Sequence, residues 1–237
     1  MKRYDILLFD ADNTLFDFSR CEYEAFRETA RQGGFSFSDS LYERYSRIND
    51  GLWKRLEKKE ITLDFLKAER FRLLLLSMGE PEGDETAERA AFLRDIYMDS
   101  LAGQAVLIPG AVELCRELAG EYELYIVTNG ISKIQRSRFA KSGLEPYFRG
   151  MFVSEEIGVQ KPEKAYFDAV FSALGNPEKS RVLMIGDSLT SDADGAIGYG
   201  LDFCRFNPGG LPDEGRALTY TVKKLSEVKD ILGGLTS

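Results

Sequence analysis

Seven residues have types and spacing that could do chemistry: Asp10, Asp12, Thr128, Asn129, Lys161, Asp187 and Asp192. Most of them follow short apolar runs. Ile6-Leu7-Leu8-Phe9 empties into Asp10-Ala11-Asp12, Leu124-Tyr125-Ile126-Val127 into Thr128-Asn129-Gly130, and Val182-Leu183-Met184-Ile185 into Gly186-Asp187. A continuous apolar run of this length suits a strand buried on both faces of a parallel sheet, and such sheets place their chemistry beyond the strands' carboxyl ends. Side chains two apart on an extended segment share a face, so Asp10 and Asp12 are expected to project toward one pocket, about 6–7 Å apart. Two like charges that close need a cation. Turn chemistry alone also explains Asp, Asn or Thr after a strand. Three such ends, with Lys161 standing before Pro162 at a helix start, favour a shared pocket instead. Carboxylates, a hydroxyl-amide pair and a lysine suit a phosphate bound beside Mg2+. Oxygen ligands hold the hard cation, and lysine with backbone amides neutralises the phosphoryl oxygens. The nucleophile is then a carboxylate.

The elements that must position these residues follow from periodicity. After Phe16 the pattern turns to helices opening near Cys21 and spanning 41–56, 63–78 and 85–101, with Gly33-Gly34, Thr62 and 79–83 as punctuation. From Pro109 strands and helices alternate: helix 110–118, strand 123–127, helix 132–141, strand 151–153, helix 163–174, strand 182–185, helix 190–197, strands 201–206 and 219–222, and helix 226–232. This alternation predicts an α/β fold with a doubly wound, mainly parallel sheet. Residues 1–16 and 105–237 are expected to form that core domain, and 17–104 an inserted all-helical domain.

Composition narrows the chemistry. The chain of 237 residues has no histidine, which removes Ser-His-Asp and Cys-His activation and histidine-based zinc sites. Its net charge of −8 leaves no basic excess for gripping polymeric nucleic acid. Three widely spaced cysteines read as reduced, packed thiols, and no stretch of 18 uninterrupted apolar residues suggests a membrane span. The expectation is a cytoplasmic protein, a monomer or small homo-oligomer, whose partner is a small phosphorylated metabolite. Gly195, Gly198 and Gly200 follow a predicted helix in the order GxxGxG, which reads as helix termination rather than a dinucleotide fingerprint. Arg136 and Arg138 read as an exposed helix face.

DADNTLFD (10–17) matches the DxDx(T/V) signature of the haloacid dehalogenase (HAD) superfamily, and VTNG (127–130), Lys161-Pro162 and GDSLTSD (186–192) resemble its second, third and fourth motifs in order. The resemblance implies a Rossmann-like core in which Asp10 is the phosphoryl-accepting nucleophile and Asp12 the general acid and base. It also implies Mg2+ held by Asp10, the Asp12 backbone carbonyl and Asp187, with Asp192 acting through bound water. Thr128 and Lys161 are then the phosphoryl binders, helped by backbone amides near Asn129. Phosphoryl transfer needs mainly alignment and charge neutralisation, so this inventory suffices without histidine.

The fold alone does not fix the reaction. Dehalogenases of this kind lack an aspartate at the second carboxylate position, so Asp12 favours phosphoryl transfer. Phosphomutases of the superfamily usually employ a cap histidine, absent here. NDGLWKRLEKKEIT (49–62) with Arg70-Phe71, LFDF (15–18) and SEEIGVQKP (154–162) resembles the bacterial pyrimidine 5′-nucleotidase branch. That implies dUMP, dTMP, UMP and modified pyrimidine nucleotides as substrates; Asn49, Trp53 and Arg70 are the candidate contacts to the nucleoside, since a flat ring and a fork of donors suit a base and its carbonyls. The alternatives are a phosphatase of phosphoglycolate or a sugar phosphate, a phosphomutase, or a non-catalytic protein that binds a phosphorylated metabolite.

Overall fold

After a first strand, β1 (Ile6–Phe9), the chain makes four helices in succession: α1 (Phe18–Gln32), α2 (Asp39–Glu57), α3 (Leu63–Ser77) and α4 (Asp84–Gly103). The computed structural model describes residues 3–234. It divides into two compact units, one of residues through Phe18 and from Ala105 onward, the other Ser19–Gln104. Within the second unit the helix starts are capped as the residue types dictate. The Ser38 hydroxyl accepts from the Leu41 amide, and the Thr62 hydroxyl from the Phe65 amide, satisfying first-turn donors that no helical carbonyl can reach. The interior is aromatic: the Tyr45 ring stacks on Phe26 and Phe71 at 4.6 and 5.3 Å, with Tyr97 against both Tyr45 and Phe71.

In the first unit β1 lies at the centre of a sheet. All four of its residues are buried, each contributing about 1.5–3 kcal/mol of apolar burial. It pairs in parallel with β2 (Glu123–Thr128) on one side and β4 (Val182–Gly186) on the other. β3 (Gly150–Val153), β5 (Asp202–Phe206) and β6 (Tyr220–Val222) complete the parallel order β3-β2-β1-β4-β5-β6. Alternate residues of β1 feed the two faces. Leu7 and Phe9 pack with Leu114 and Leu118 of α5 (Ala111–Leu118), Phe139 of α6 (Ser132–Ser142), and Val228 and Leu232 of the closing helix, Glu227–Gly234. Ile6 and Leu8 pack with Phe167 and Val170 of the helix Lys164–Ala173, and with Ala196 and Tyr199 of Asp194–Tyr199. In chain order the helices after α6 are α7 (Ser154–Ile157), α8 (Lys164–Ala173), α9 (Asp194–Tyr199) and α10 (Glu227–Gly234).

The fold is the expected α/β arrangement, with the order of strands reversing between β1 and β4. Phe9 stands level with Ile126 and Ile185 in the register, so the three polar strand ends meet at one edge. Two local features differ from the sequence pattern. The predicted helix 190–197 is a single π turn, Leu189–Ala193, followed by α9, and α7 was not anticipated. Gly200 ends α9 at φ +87, the left-handed conformation that a side chain disfavours. Cys21, Cys115 and Cys204 are buried thiols. Among the described residues no helix is long and apolar enough to cross a membrane.

Candidate active site

Asp10 leaves the end of β1 with its amide donating to the Ile185 carbonyl, which holds it against β4. Its carboxylate meets those of Asp187, after β4, and Asp192, in the π turn. One oxygen from each lies within 4.8 Å of the others. Each approach has a local cause. Gly186 leaves the space that the Asp192 carboxylate fills, since a Cβ there would collide with it. The Ser188 amide donates to Asp192 Oδ2 at 3.1 Å, and the Thr14 hydroxyl to Asp187 Oδ1 at 3.3 Å. Extra backbone in a π turn is a recurrent way of aiming a side chain at a site.

Lys161 enters the same cluster almost wholly buried. Its ammonium donates to Asp10 Oδ1 and Asp192 Oδ1, each at 2.7 Å, and to the Val127 carbonyl at 2.8 Å. The backbone of Lys161 is fixed by reciprocal bonds with the Asn129 side chain: Lys161 N donates to Oδ1 and Asn129 Nδ2 donates to the Lys161 carbonyl, both at 2.9 Å. The peptide bond to Pro162 is cis. Gly195 lets α9 approach Pro162 and Phe167 closely, for a Cβ there would lie 2.8 Å from the Phe167 ring.

Charge follows geometry. Burial opposes ionisation of Lys161, yet the Asp10 and Asp192 carboxylates outweigh it and hold the ammonium firmly charged. Burial raises Asp10 well above the usual carboxylate range; Lys161 pulls it down, while Asp192 and Asp187 push it up. Asp187 is pushed up to about 7, first by burial and then by Asp192. Three crowded carboxylates facing one ammonium are short of positive charge. An all-oxygen donor set of this kind fits a hard divalent cation such as Mg2+.

Asp12 lies just beyond β1, which ends at Phe9, and the chain turns through Asn13 at φ 60. Its carboxylate is engaged by α6: Arg138 Nη1 donates to Oδ1 and Gln135 Nε2 to Oδ2, each at 2.5 Å. Gln135 Nε2 also donates to the Thr128 hydroxyl at 3.1 Å, which in turn accepts from the Gly130 amide. Arg138 is therefore not part of an exposed face; it is completely buried, whereas Arg136 is half exposed and pairs with Glu156. The available signal was the stripe Ile134, Gln135, Arg138 and Phe139, a single buried side of the helix on which two polar residues sit. Thr14, Gln135 and Arg138 are thus the additions to the sequence-derived set.

In the helical unit, Asn49 and Arg70 are buried beside Glu22. Asn49 Nδ2 donates to Glu22 Oε1 at 2.8 Å, and the Arg70 guanidinium lies 4.4 Å from the centre of the Tyr97 ring. Among the described residues Asn49 Oδ1 and Arg70 Nε have no hydrogen-bond partner. Trp53, one turn along α2 from Asn49, packs beside the Leu52, Leu56 and Leu66 cluster.

A family model described as haloacid dehalogenase-like hydrolase matches residues 4–200. The pyrimidine 5′-nucleotidase PynA of Streptococcus pneumoniae is 36% identical over 97% of this chain and 95% of its own. The pyrimidine 5′-nucleotidase YjjG of Escherichia coli is 34% identical over 97% of this chain and 98% of its own. A crystal structure of YfnB from Bacillus subtilis, described as a HAD-hydrolase and bound to magnesium, superposes with a TM-score of 0.89 at 38% identity, covering 98% of this chain and 99% of that one. With the parallel sheet, the carboxylate cluster and the buried lysine all in place, the chain belongs to the haloacid dehalogenase-like hydrolases.

Proposed function

We propose that this phosphoric monoester hydrolase is a Mg2+-dependent 5′-nucleotidase that acts on pyrimidine nucleoside monophosphates, dUMP, dTMP, UMP and modified pyrimidines, through an aspartyl-phosphate. The observation that carries the substrate class is the likeness, over nearly the whole chain, to two proteins named as pyrimidine 5′-nucleotidases. The chemistry rests on the cluster of Asp10, Lys161, Asp187 and Asp192 beyond β1 and β4.

In the first half-reaction a carboxylate oxygen of Asp10 attacks phosphorus. The ester P–O bond breaks, its electron pair stays on the leaving oxygen, and that oxygen takes the proton of the Asp12 carboxyl. In the second half-reaction water attacks phosphorus and gives a proton to the Asp12 carboxylate. The bond to Asp10 breaks and its electron pair returns to that carboxylate. The Thr128 hydroxyl, the Lys161 ammonium and backbone amides near Asn129 bind the phosphoryl oxygens. The Asn129 side chain, occupied by the Lys161 backbone, serves to place that ammonium. Asp10, Asp187, Asp192 and the Asp12 backbone carbonyl would hold Mg2+, which supplies charge neutralisation to the transferring phosphoryl group.

For the leaving group we assign Asn49 and Arg70, with Trp53 as a further ring contact. An amide oxygen accepts from a pyrimidine N3–H, and a guanidinium donates to ring carbonyls; both groups have an atom to spare. The setting is a cytoplasmic one, with the chain a monomer or small homo-oligomer. The test is phosphate release with Mg2+ from nucleoside monophosphates, phosphoglycolate and hexose phosphates, with Asp10→Asn as control. Turnover of pyrimidine nucleotides at least tenfold above the other esters, lost in the variant, is expected. Preferential turnover of phosphoglycolate or a sugar phosphate would overturn the substrate assignment.

A further inference from the structure

We propose that Gln135 and Arg138 are positioning residues that form a cradle for the Asp12 carboxylate and so govern protonation of the leaving oxygen; the inference rests on the phosphoryl-transfer reading above. Each oxygen of Asp12 has its own donor, Arg138 for Oδ1 and Gln135 for Oδ2. The two donors are three residues apart on α6 and therefore share a face. They also touch one another, Arg138 Nη1 lying 3.4 Å from Gln135 Oε1.

Several features show that this cradle is built at a cost. The Arg138 guanidinium is completely buried, 4.5 Å from the Phe16 ring centre and 5.5 Å from that of Phe18, both contributed by the chain that follows Asp12. A buried cation is expensive unless paired, and an apolar residue would anchor α6 without that penalty. Gly130 is open where the Gln135 amide lies, since a Cβ there would collide with it. Through its second bond Gln135 ties Asp12 to Thr128, so the acid-base carboxylate and the phosphoryl-binding hydroxyl share one rigid donor. A fork that fixes both oxygens sets the direction in which a proton can be delivered. Small misplacements of a catalytic group cost large factors in rate.

The consequence depends on the leaving group. When the ester P–O bond breaks, an alkoxide needs the Asp12 proton, whereas p-nitrophenolate departs as a stable anion without it. Misplacing Asp12 therefore slows P–O cleavage of a nucleotide and spares the aryl ester. A merely structural role for Arg138 slows both alike.

The experiment is single-turnover cleavage of UMP and of p-nitrophenyl phosphate by the full chain with Mg2+, comparing wild type, Arg138→Met, Arg138→Lys and Gln135→Met. Arg138→Met should lower the UMP rate about 100-fold, the lower range for general acid catalysis, and the aryl rate by less than about threefold. Arg138→Lys, which retains a charged donor, should recover part of the UMP rate. Gln135→Met leaves the buried ion pair intact and should show the same selectivity in weaker form, so it carries the comparison if Arg138→Met does not fold. Equal losses on both esters, or unchanged rates, in folded variants would overturn the cradle. Absence of wild-type turnover on both esters would instead refute the phosphatase reading, and the cradle with it.

Discussion

The helical unit holds a carboxylate whose energetic cost can be measured directly. Glu22 is buried and accepts from Asn49 Nδ2 at 2.8 Å, from the Tyr42 hydroxyl at 3.1 Å and from the Tyr97 hydroxyl at 3.5 Å. Burial dominates its titration and Asp50 adds to it; the Tyr42 hydrogen bond, Arg70 and the Asn49 hydrogen bond oppose them, and the carboxyl is pushed up from 4.5 to about 7. The folded state therefore holds this proton more tightly than the unfolded state. Between pH 4.5 and 7 unfolding releases a proton, so this group's contribution to stability falls as pH rises and levels off above about 7. At 1.36 kcal/mol per unit, the cost of the charged form amounts to about 3 kcal/mol at pH 7.5. Glu22→Gln keeps the shape and mimics the protonated acid, since the Tyr42 hydroxyl can turn to accept from the new amide. The variant should match wild type near pH 4.5 and exceed it by about 3 kcal/mol at pH 7.5. Urea titrations followed by the fluorescence of Trp53, the chain's single tryptophan and a residue of this unit, report that difference. Parallel stability curves for the two proteins across this range would refute the argument.

Two further predictions concern the carboxylate cluster. Gly186→Ala places a methyl group in the space of the Asp192 carboxylate and should lower phosphatase activity at least tenfold while leaving the circular dichroism spectrum unchanged; full activity would show that Asp192 has room to move. Lys161→Met removes the ammonium that serves both Asp10 and Asp192, leaving buried charge uncompensated, and should cost about 3–5 kcal/mol at pH 7.5 without divalent metal. That loss should shrink toward pH 5 as Asp10 and Asp187, whose carboxyls burial raises, take up protons, and a pH-independent loss in urea titrations would contradict the pairing.

Legibility differed among the parts for physical reasons. The β1, β2 and β4 ends could be read because a strand buried on both faces must be continuously apolar, and a polar residue after it marks the sheet edge. Lys161 was legible through the order of motifs alone; nothing in its neighbourhood announces that a lysine would be buried among carboxylates. The π turn escaped because Leu189–Ala193 carries ordinary helix-compatible residues, and the feature that selects it is the Asp192 carboxylate docking against Gly186. Arg138 escaped because arginine is by default a surface residue, and its burial depends on Phe16, Phe18 and Asp12, which lie more than a hundred residues away in sequence. Asp12 was legible from its position two residues after Asp10, but its partners Gln135 and Arg138 lie on α6, far away in sequence.

In the proposed mechanism Asp10 carries the phosphoryl group between the two half-reactions. Acid quenching of the Mg2+-loaded enzyme within milliseconds of mixing with dUMP labelled in its phosphate, followed by digestion and mass mapping of the labelled peptide, detects that intermediate. Label is expected on the peptide at Asp10, absent from Asp10→Asn and lost on a chase with unlabelled substrate. Turnover that proceeds with no label on the protein, or with label on a residue other than Asp10, would contradict it.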